Sequence, residues 1–175
     1  MSGLPPTRSA RLNVTTLIQP STEPALRVGG LVLAAGAGRR MGNRPKCLLQ
    51  LNGMSLLERQ LQALSQAGVM PIGVVLGHHA GRILQEGALA RWAAQPVLNP
   101  EPYDGHVSSL RIGLRALPPG LDAVLVALAD QPLINGQVVQ ALLQAFAQRP
   151  VGTQLVQPNV QGLPGNPVVF SSTVM

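Results

Sequence analysis

The residues best equipped for chemistry lie between Leu31 and Lys46, in the stretch LVLAAGAGRRMGNRPK. An apolar run through Leu33 breaks into Ala34, Ala35, Gly36, Ala37 and Gly38, then delivers Arg39 and Arg40, a turn from Gly42 to Pro45, and Lys46. Glycine lets backbone N–H groups converge on one anion, and neighbouring cations neutralise it, so the stretch has the composition of a polyphosphate cradle. Its spacing is neither G-x-x-x-x-G-K-[ST] nor a G-x-G-x-x-G that opens a helix. Gly36, Gly38 and Gly42 read G-x-G-x-x-x-G, and Pro45 disfavours helical geometry at Arg44. On pattern alone the stretch also fits a basic turn after a core strand.

Asp130 is the second candidate. It follows seven apolar residues, Ala123 to Ala129, and precedes Gln131 and Pro132. A carboxylate in that place can hold Mg²⁺, which takes one or two carboxylates together with phosphate oxygens and water. It also fits a solvated cap at a strand end. Ser108 is open to two readings in the same way, as a ligand or as a helix cap. His78, His79 and His106 do not make a metal set, and the first two, as neighbours on opposite faces of a strand, read as surface residues. The single Cys47 reads as a small core residue.

The run L-A-A-G-x-G-x-R-M-G-x-x-x-K, from Leu33 to Lys46, resembles the N-terminal signature of the MobA-like nucleotidyltransferases, most closely the molybdenum cofactor cytidylyltransferases. Three further segments follow in that family's order. Gly105, Ser108, Ser109 and Leu110 resemble its G-x-x-S-[SL] segment, with Asn99 and Tyr103 ahead of it. Ala129, Asp130, Gln131 and Pro132 resemble its D-x-P element, whose aspartate binds the metal. Gly162, Pro164, Gly165, Asn166 and Pro167 resemble its G-x-P-G-H-P turn, with Asn166 in the place of the histidine.

The resemblance implies a Rossmann-like α/β three-layer sandwich with a mostly parallel central sheet, of the nucleotide-diphosphosugar-transferase type. It implies nucleotidyl transfer dependent on Mg²⁺, in which the phosphate of molybdopterin attacks CTP and pyrophosphate leaves. Arg40, Lys46 and Asp130 would be the catalytic residues, Asp130 holding the metal. The nucleotide would lie on Leu33, Ala34, Ala35, Gly36, Gly38, Arg40 and Lys46, with Gly77 and Ser108 beside it. Gly105, Ser109, Gly165 and Asn166 would meet the acceptor. CTP is expected over GTP because relatives using GTP more often read A-G-G where this chain has Ala34, Ala35 and Gly36. A molybdoenzyme or its chaperone would receive the product. A guanylyltransferase or sugar-phosphate nucleotidyltransferase on the same scaffold is the alternative within the class. An accessory protein that binds nucleotide or cofactor without turnover is the alternative outside it. Relatives also supply a further acidic residue beyond the Pro167 strand, whereas this sequence stops at Met175, so either the domain is truncated or the second metal ligand is absent, and poor turnover is expected.

Elements able to position these residues are legible around them. Val28 to Ala34 is an unbroken apolar run, the pattern of a strand buried on both faces. Ser55 and Glu58 make a capping box for a helix to Ala67, with Leu56, Leu57, Leu61 and Leu64 on one face. Pro71 to Leu76 is the next strand, so strand, helix and strand imply a parallel crossover. Further helices are expected at Gly81 to Ala94, Ser108 to Leu117 and Gly136 to Ala147, the last capped by Asn135, with Val138, Val139, Leu142, Leu143 and Phe146 inward. Strands are expected at Pro96 to Leu98, Ala123 to Ala129, Gln154 to Gln157 and Pro167 to Phe170, with a glycine and proline loop from Gly162 to Pro167.

Composition bounds the rest. The 175 residues suit one domain able to bury roughly two thirds of its unfolded surface. Aromatics at 2% leave little for stacking single-stranded nucleic acid, and the net charge of +6 is dispersed apart from the Arg39–Arg40 pair, which suits a small polyanion rather than nucleic acid. No apolar run reaches the ~18 residues of a membrane span. One cysteine allows no intramolecular disulfide and fits a reducing, cytoplasmic setting. Residues 1–27, with four prolines and no apolar h-region, read as a mobile tail rather than a secretory signal, a transit peptide being the lesser alternative. Residues 28–175 are then the nucleotidyltransferase domain.

Overall fold

A computed structural model describes residues 26–174. The tail expected over residues 1–27 thus lies outside the described residues apart from its last two. Arg27 is fixed: its N–H donates to the Asp122 carboxylate at 2.8 Å, which holds that carboxyl below its usual range.

The central sheet is built from the apolar runs. β1 (Val28–Ala34) follows the expected bounds. A two-residue hairpin, β2 (Gln50–Leu51) and β3 (Met54–Ser55), leads into α1 (Leu56–Gln66), where the Ser55 hydroxyl accepts from the Glu58 N–H as the capping pattern requires. β4 (Ile72–Leu76) runs parallel to β1. The single helix expected from Gly81 to Ala94 is two, α2 (Ala80–Gln85) and α3 (Ala88–Arg91), because Gly87 adopts φ +68° between them. β5 (Gln95–Leu98) pairs in parallel with β4. α4 (Gly105–Ala116) starts three residues earlier than expected, so Ser108 lies inside its first turn.

β6 (Ala123–Leu128) returns to the other side of β1, again parallel. α5 (Gly136–Ala147) keeps the expected bounds and its Asn135 cap, which accepts from Val138 N–H; Val139, Leu142 and Phe146 are buried, while Val138 is exposed. β7 (Leu155–Val156) and β10 (Val168–Ser171) add antiparallel strands, giving the order β5-β4-β1-β6-β10-β7. Between them β8 (Asn159–Val160) and β9 (Leu163–Pro164) form a hairpin, so part of the loop expected from Gly162 to Pro167 is paired strand.

Two hydrophobic layers cover the sheet. Leu57, Leu61 and Leu64 of α1 and Val139, Leu142 and Phe146 of α5 pack on one face with Val32, Val74 and Leu125. Leu110, Leu114 and Leu117, in and just after α4, pack on the other with Leu31, Val75 and Val124. The β strands therefore bury both faces, which is why β1, β4 and β6 read as continuous apolar runs rather than alternating ones. The result is a Rossmann-like three-layer sandwich with a mostly parallel sheet. Among the described residues no helix is long and apolar enough to cross a membrane.

Candidate active site

The chain leaves β1 to one side through β4 and β5, then crosses to β6 on the other. This reversal opens a crevice at the carboxyl ends of β1 and β6, the place where open α/β sheets bind ligands. Leu33 pairs with Leu128, and the Ala129 N–H still donates to the Leu33 carbonyl at 3.1 Å. Asp130 therefore emerges from the sheet one residue later, beside the glycine loop.

That loop is shaped by two glycines. Gly38 has φ +64° and Gly42 φ +67°, and between them Arg39–Met41 makes a single 3₁₀ turn closed by Met41 N–H donating to the Gly38 carbonyl at 2.9 Å. A second 3₁₀ turn, Lys46–Leu48, places Cys47 inward and leaves Lys46 half-buried. A cavity of about 360 Å³ lies over this loop, with Gly36, Arg40, Lys46 and Asp130 in its wall and Cys47 at its floor. Burial pushes the Cys47 thiol up to about 11; a backbone hydrogen bond pulls against that rise, and the Asp130 charge adds to it. The carboxylate is therefore within electrostatic reach of the loop's floor. The ion pairs among the described residues are Arg27–Asp122 and Arg91–Glu58, and neither involves the Arg39, Arg40 or Lys46 cations at the first cavity.

A second cavity, of about 290 Å³, lies on the β4 side of the same loop and shares Leu33, Gly36, Gly38, Arg39 and His106 with the first. Its outer wall is His78 and Tyr103, whose rings meet edge to face at 4.5 Å, and Gly105 and Ser109 complete it from α4. Buried Asn99 organises that wall. Its Nδ2 donates to the Ser108 and Ser109 hydroxyls, each at 3.0 Å, and its Oδ1 accepts from the Glu101 N–H at 2.9 Å.

Most of the residues expected at the site come together here. Leu33, Ala34, Gly36, Gly38, Arg40, Lys46 and Asp130 line the first cavity, and Ala35, Gly105 and Ser109 line the second. Gly77 lines neither; it lies against Ala35, where a Cβ would come within 2.8 Å of the Ala35 carbonyl oxygen, so it lets the two strand ends approach. Ser108 also lines neither and is engaged with Asn99 and the Gly105 and Glu101 carbonyls. Gly165 and Asn166 stand between β9 and β10 and line neither cavity, with the Gly165 N–H donating to the Pro158 carbonyl.

The histidines need correction. β4 ends at Leu76, so His78 and His79 occupy the turn beyond it rather than opposite faces of a strand. His79 Nε2 donates to the Ala37 carbonyl at 3.0 Å and ties the turn to the glycine loop. His106, in the first turn of α4, lines both cavities. The available signal was position: His78 and His79 follow the carboxyl end of a buried strand.

Among the described residues no three His, Cys, Asp or Glu side chains are gathered into a metal cage. Asp130 is one exposed carboxylate in a cation-lined cavity, a donor set that suits Mg²⁺ or Mn²⁺ completed by substrate phosphates and water.

The family model for the MobA-like NTP transferase domain matches residues 30–175. The chain belongs to the MobA-like NTP transferase family. Among curated relatives, the bifunctional protein GlmU of Rhodococcus opacus (strain B4) is 35% identical over 125 residues, covering 69% of this chain and 25% of that protein. The 2-C-methyl-D-erythritol 4-phosphate cytidylyltransferase of Streptomyces avermitilis is 30% identical over 161 residues, covering 85% and 64%. This chain thus spans about a quarter of the length of the GlmU relative and under two thirds of the cytidylyltransferase. Of solved structures, Rv0371c from Mycobacterium tuberculosis H37Rv superposes with a TM-score of 0.72 at 27% identity, covering 86% of this chain and 74% of that one. A complex of the same protein with manganese gives 0.68 at 25% identity, covering 85% and 72%.

Proposed function

We propose that the chain transfers CMP from CTP to the terminal phosphate of molybdopterin, releasing pyrophosphate. The observation that carries this reading is the meeting of the Gly36–Lys46 loop and Asp130 in one cavity at the carboxyl ends of β1 and β6. The triphosphate would lie on the loop amides between Gly36 and Gly38, with Arg40 and Lys46 neutralising it. The nucleoside would extend past Ala35 toward the second cavity, where Gly105 and Ser109 would meet the acceptor. An oxygen of the acceptor phosphate attacks the α-phosphorus, the bond from that phosphorus to the β-phosphate oxygen breaks, and pyrophosphate leaves with the electron pair. Such transfers rest on positioning and charge neutralisation, so no side-chain nucleophile is required. Asp130 would hold Mg²⁺, which when bound offsets the charge that develops on the phosphate oxygens.

The choice of CTP is supported by Ala34 and Ala35 and by the relative named as a cytidylyltransferase. That relative's name also favours a second reading, in which the acceptor is a different phosphate monoester, such as a sugar phosphate. A molybdoenzyme or its chaperone would take the product under the first reading, in a cytoplasmic setting. Pyrophosphate release with molybdopterin and Mg²⁺, run with CTP and then GTP, tests both the acceptor and the base. Nucleotide binding with slow turnover is expected of this chain, and pyrophosphate release with CTP that Asp130→Ala abolishes would establish the transferase over a carrier. Nucleotide binding with no pyrophosphate from any phosphate acceptor would instead make this chain a carrier.

A further inference from the structure

Gln60 lies in the middle of α1, on the face that packs against the sheet, and is fully buried among Leu57, Leu61 and Leu64. A carboxamide in such a place is unfavourable unless its hydrogen-bonding groups are used. One of them is: Nε2 donates to the backbone carbonyl of Gln131, the residue that follows Asp130. The other is not: among the described residues Gln60 Oε1 is buried without a partner, as is the Oε1 of Gln131. Leucine would satisfy the apolar pattern of this helix face at no such cost, so packing alone does not account for Gln60.

What it touches accounts for it better. Pro132 has no N–H to give, and Gln60 makes the one side-chain hydrogen bond to the Asp130–Pro132 backbone recorded among the described residues. α1 is anchored by three leucines that are fully buried. Gln60 is thus a post on a rigid helix that reaches across to the turn carrying the candidate metal carboxylate. We propose that Gln60 is a positioning residue that fixes the Asp130 turn, so that the carboxylate is held ready for a divalent cation before nucleotide arrives. The inference rests on the proposed transferase site but concerns a residue outside both cavities.

Gln60→Met keeps the volume, removes the donor and removes one orphaned oxygen; Gln60→Leu serves as a second variant if the first folds poorly. Mn²⁺ binding in the presence of CTP is read from the free-ion electron spin resonance signal, independently of turnover. Removing outer-shell support from a metal ligand costs about tenfold or more, so Mn²⁺ affinity is expected to fall by about that factor. Amide exchange across residues 130–135 should quicken in the variant without metal. Where wild-type protein turns over, kcat should fall while KM for CTP stays within about threefold of wild type. The thermal midpoint should stay within a few degrees of wild type, since the orphaned Gln60 oxygen goes while the Gln131 carbonyl loses its donor. Unchanged Mn²⁺ affinity and exchange, or losses that merely track a lowered midpoint, would overturn the proposal. If wild-type protein shows no pyrophosphate release but binds Mn²⁺ with nucleotide, the transferase reading fails while the Gln60 comparison stands.

Discussion

Gly38 lies directly against the backbone carbonyl of Arg44, so close that a Cβ at Gly38 would overlap the Arg44 carbonyl oxygen. The loop closes on itself at this point, and Gly38 is also at φ +64°, where an L side chain is strained. Gly38→Ala should therefore open the loop and scatter its amides and cations. We expect CTP affinity to fall by more than about tenfold by calorimetry, in keeping with several lost charge-assisted contacts. The thermal midpoint should stay within a few degrees of wild type, because the loop lies outside both hydrophobic layers.

His79 supports the same loop from the β4 side through its bond to Ala37. The carbonyl can only accept, so Nε2 must carry the proton. A single neutral hydrogen bond contributes on the order of 1 kcal/mol, about a fivefold effect. His79→Phe should raise KM for CTP by roughly that factor and leave kcat near wild type. A large kcat loss with KM unchanged would give His79 a different part.

Asn99 offers a test of the second cavity. Its side chain satisfies two serine hydroxyls and the Glu101 N–H while almost fully buried. Asn99→Ala removes all three bonds and strands the Glu101 donor, for an expected loss of roughly 2–3 kcal/mol in urea unfolding. Substrate binding in the second cavity should weaken as well, since Ser109 loses its hydrogen bond to Asn99.

What the sequence carried and what it withheld divide by range. β1 and α5 are legible to the residue because an unbroken apolar run and a capped 3.6-residue period are local signals. Asp130 is legible as a carboxylate that ends an apolar run. The β2–β3 hairpin carried a signal too: Asn52 at φ +54° and Gly53 at φ +78° are the Asn-Gly pair of a tight hairpin turn. Gly87 similarly marked the break between α2 and α3. By contrast, the antiparallel return of β10 against β6 depends on how distant segments pack, and no local pattern encodes it. The bonds from His79 to Ala37 and from Gln60 to Gln131 link residues 42 and 71 positions apart, so His79 reads from sequence as a surface residue and Gln60 carries no local signal at all.

The pH dependence of stability should report on the cavity floor. Cys47 titrates near 9.0 when unperturbed and is pushed up to about 11 in the fold, chiefly by burial. The folded state therefore holds the thiol proton more tightly than the unfolded chain. Its stabilising contribution is complete below pH 9.0 and is lost as pH rises toward about 11. A two-unit rise corresponds to roughly 3 kcal/mol at most. Unfolding by urea at pH 7, 9 and 10.5 should show that decline, and Cys47→Ala should flatten it. Because the Asp130 charge adds to the rise, Asp130→Asn should bring the thiol pKa down, measured by the pH profile of reaction with a thiol reagent. A profile that Asp130→Asn leaves unmoved would mean that the Asp130 charge does not reach the thiol at the cavity floor.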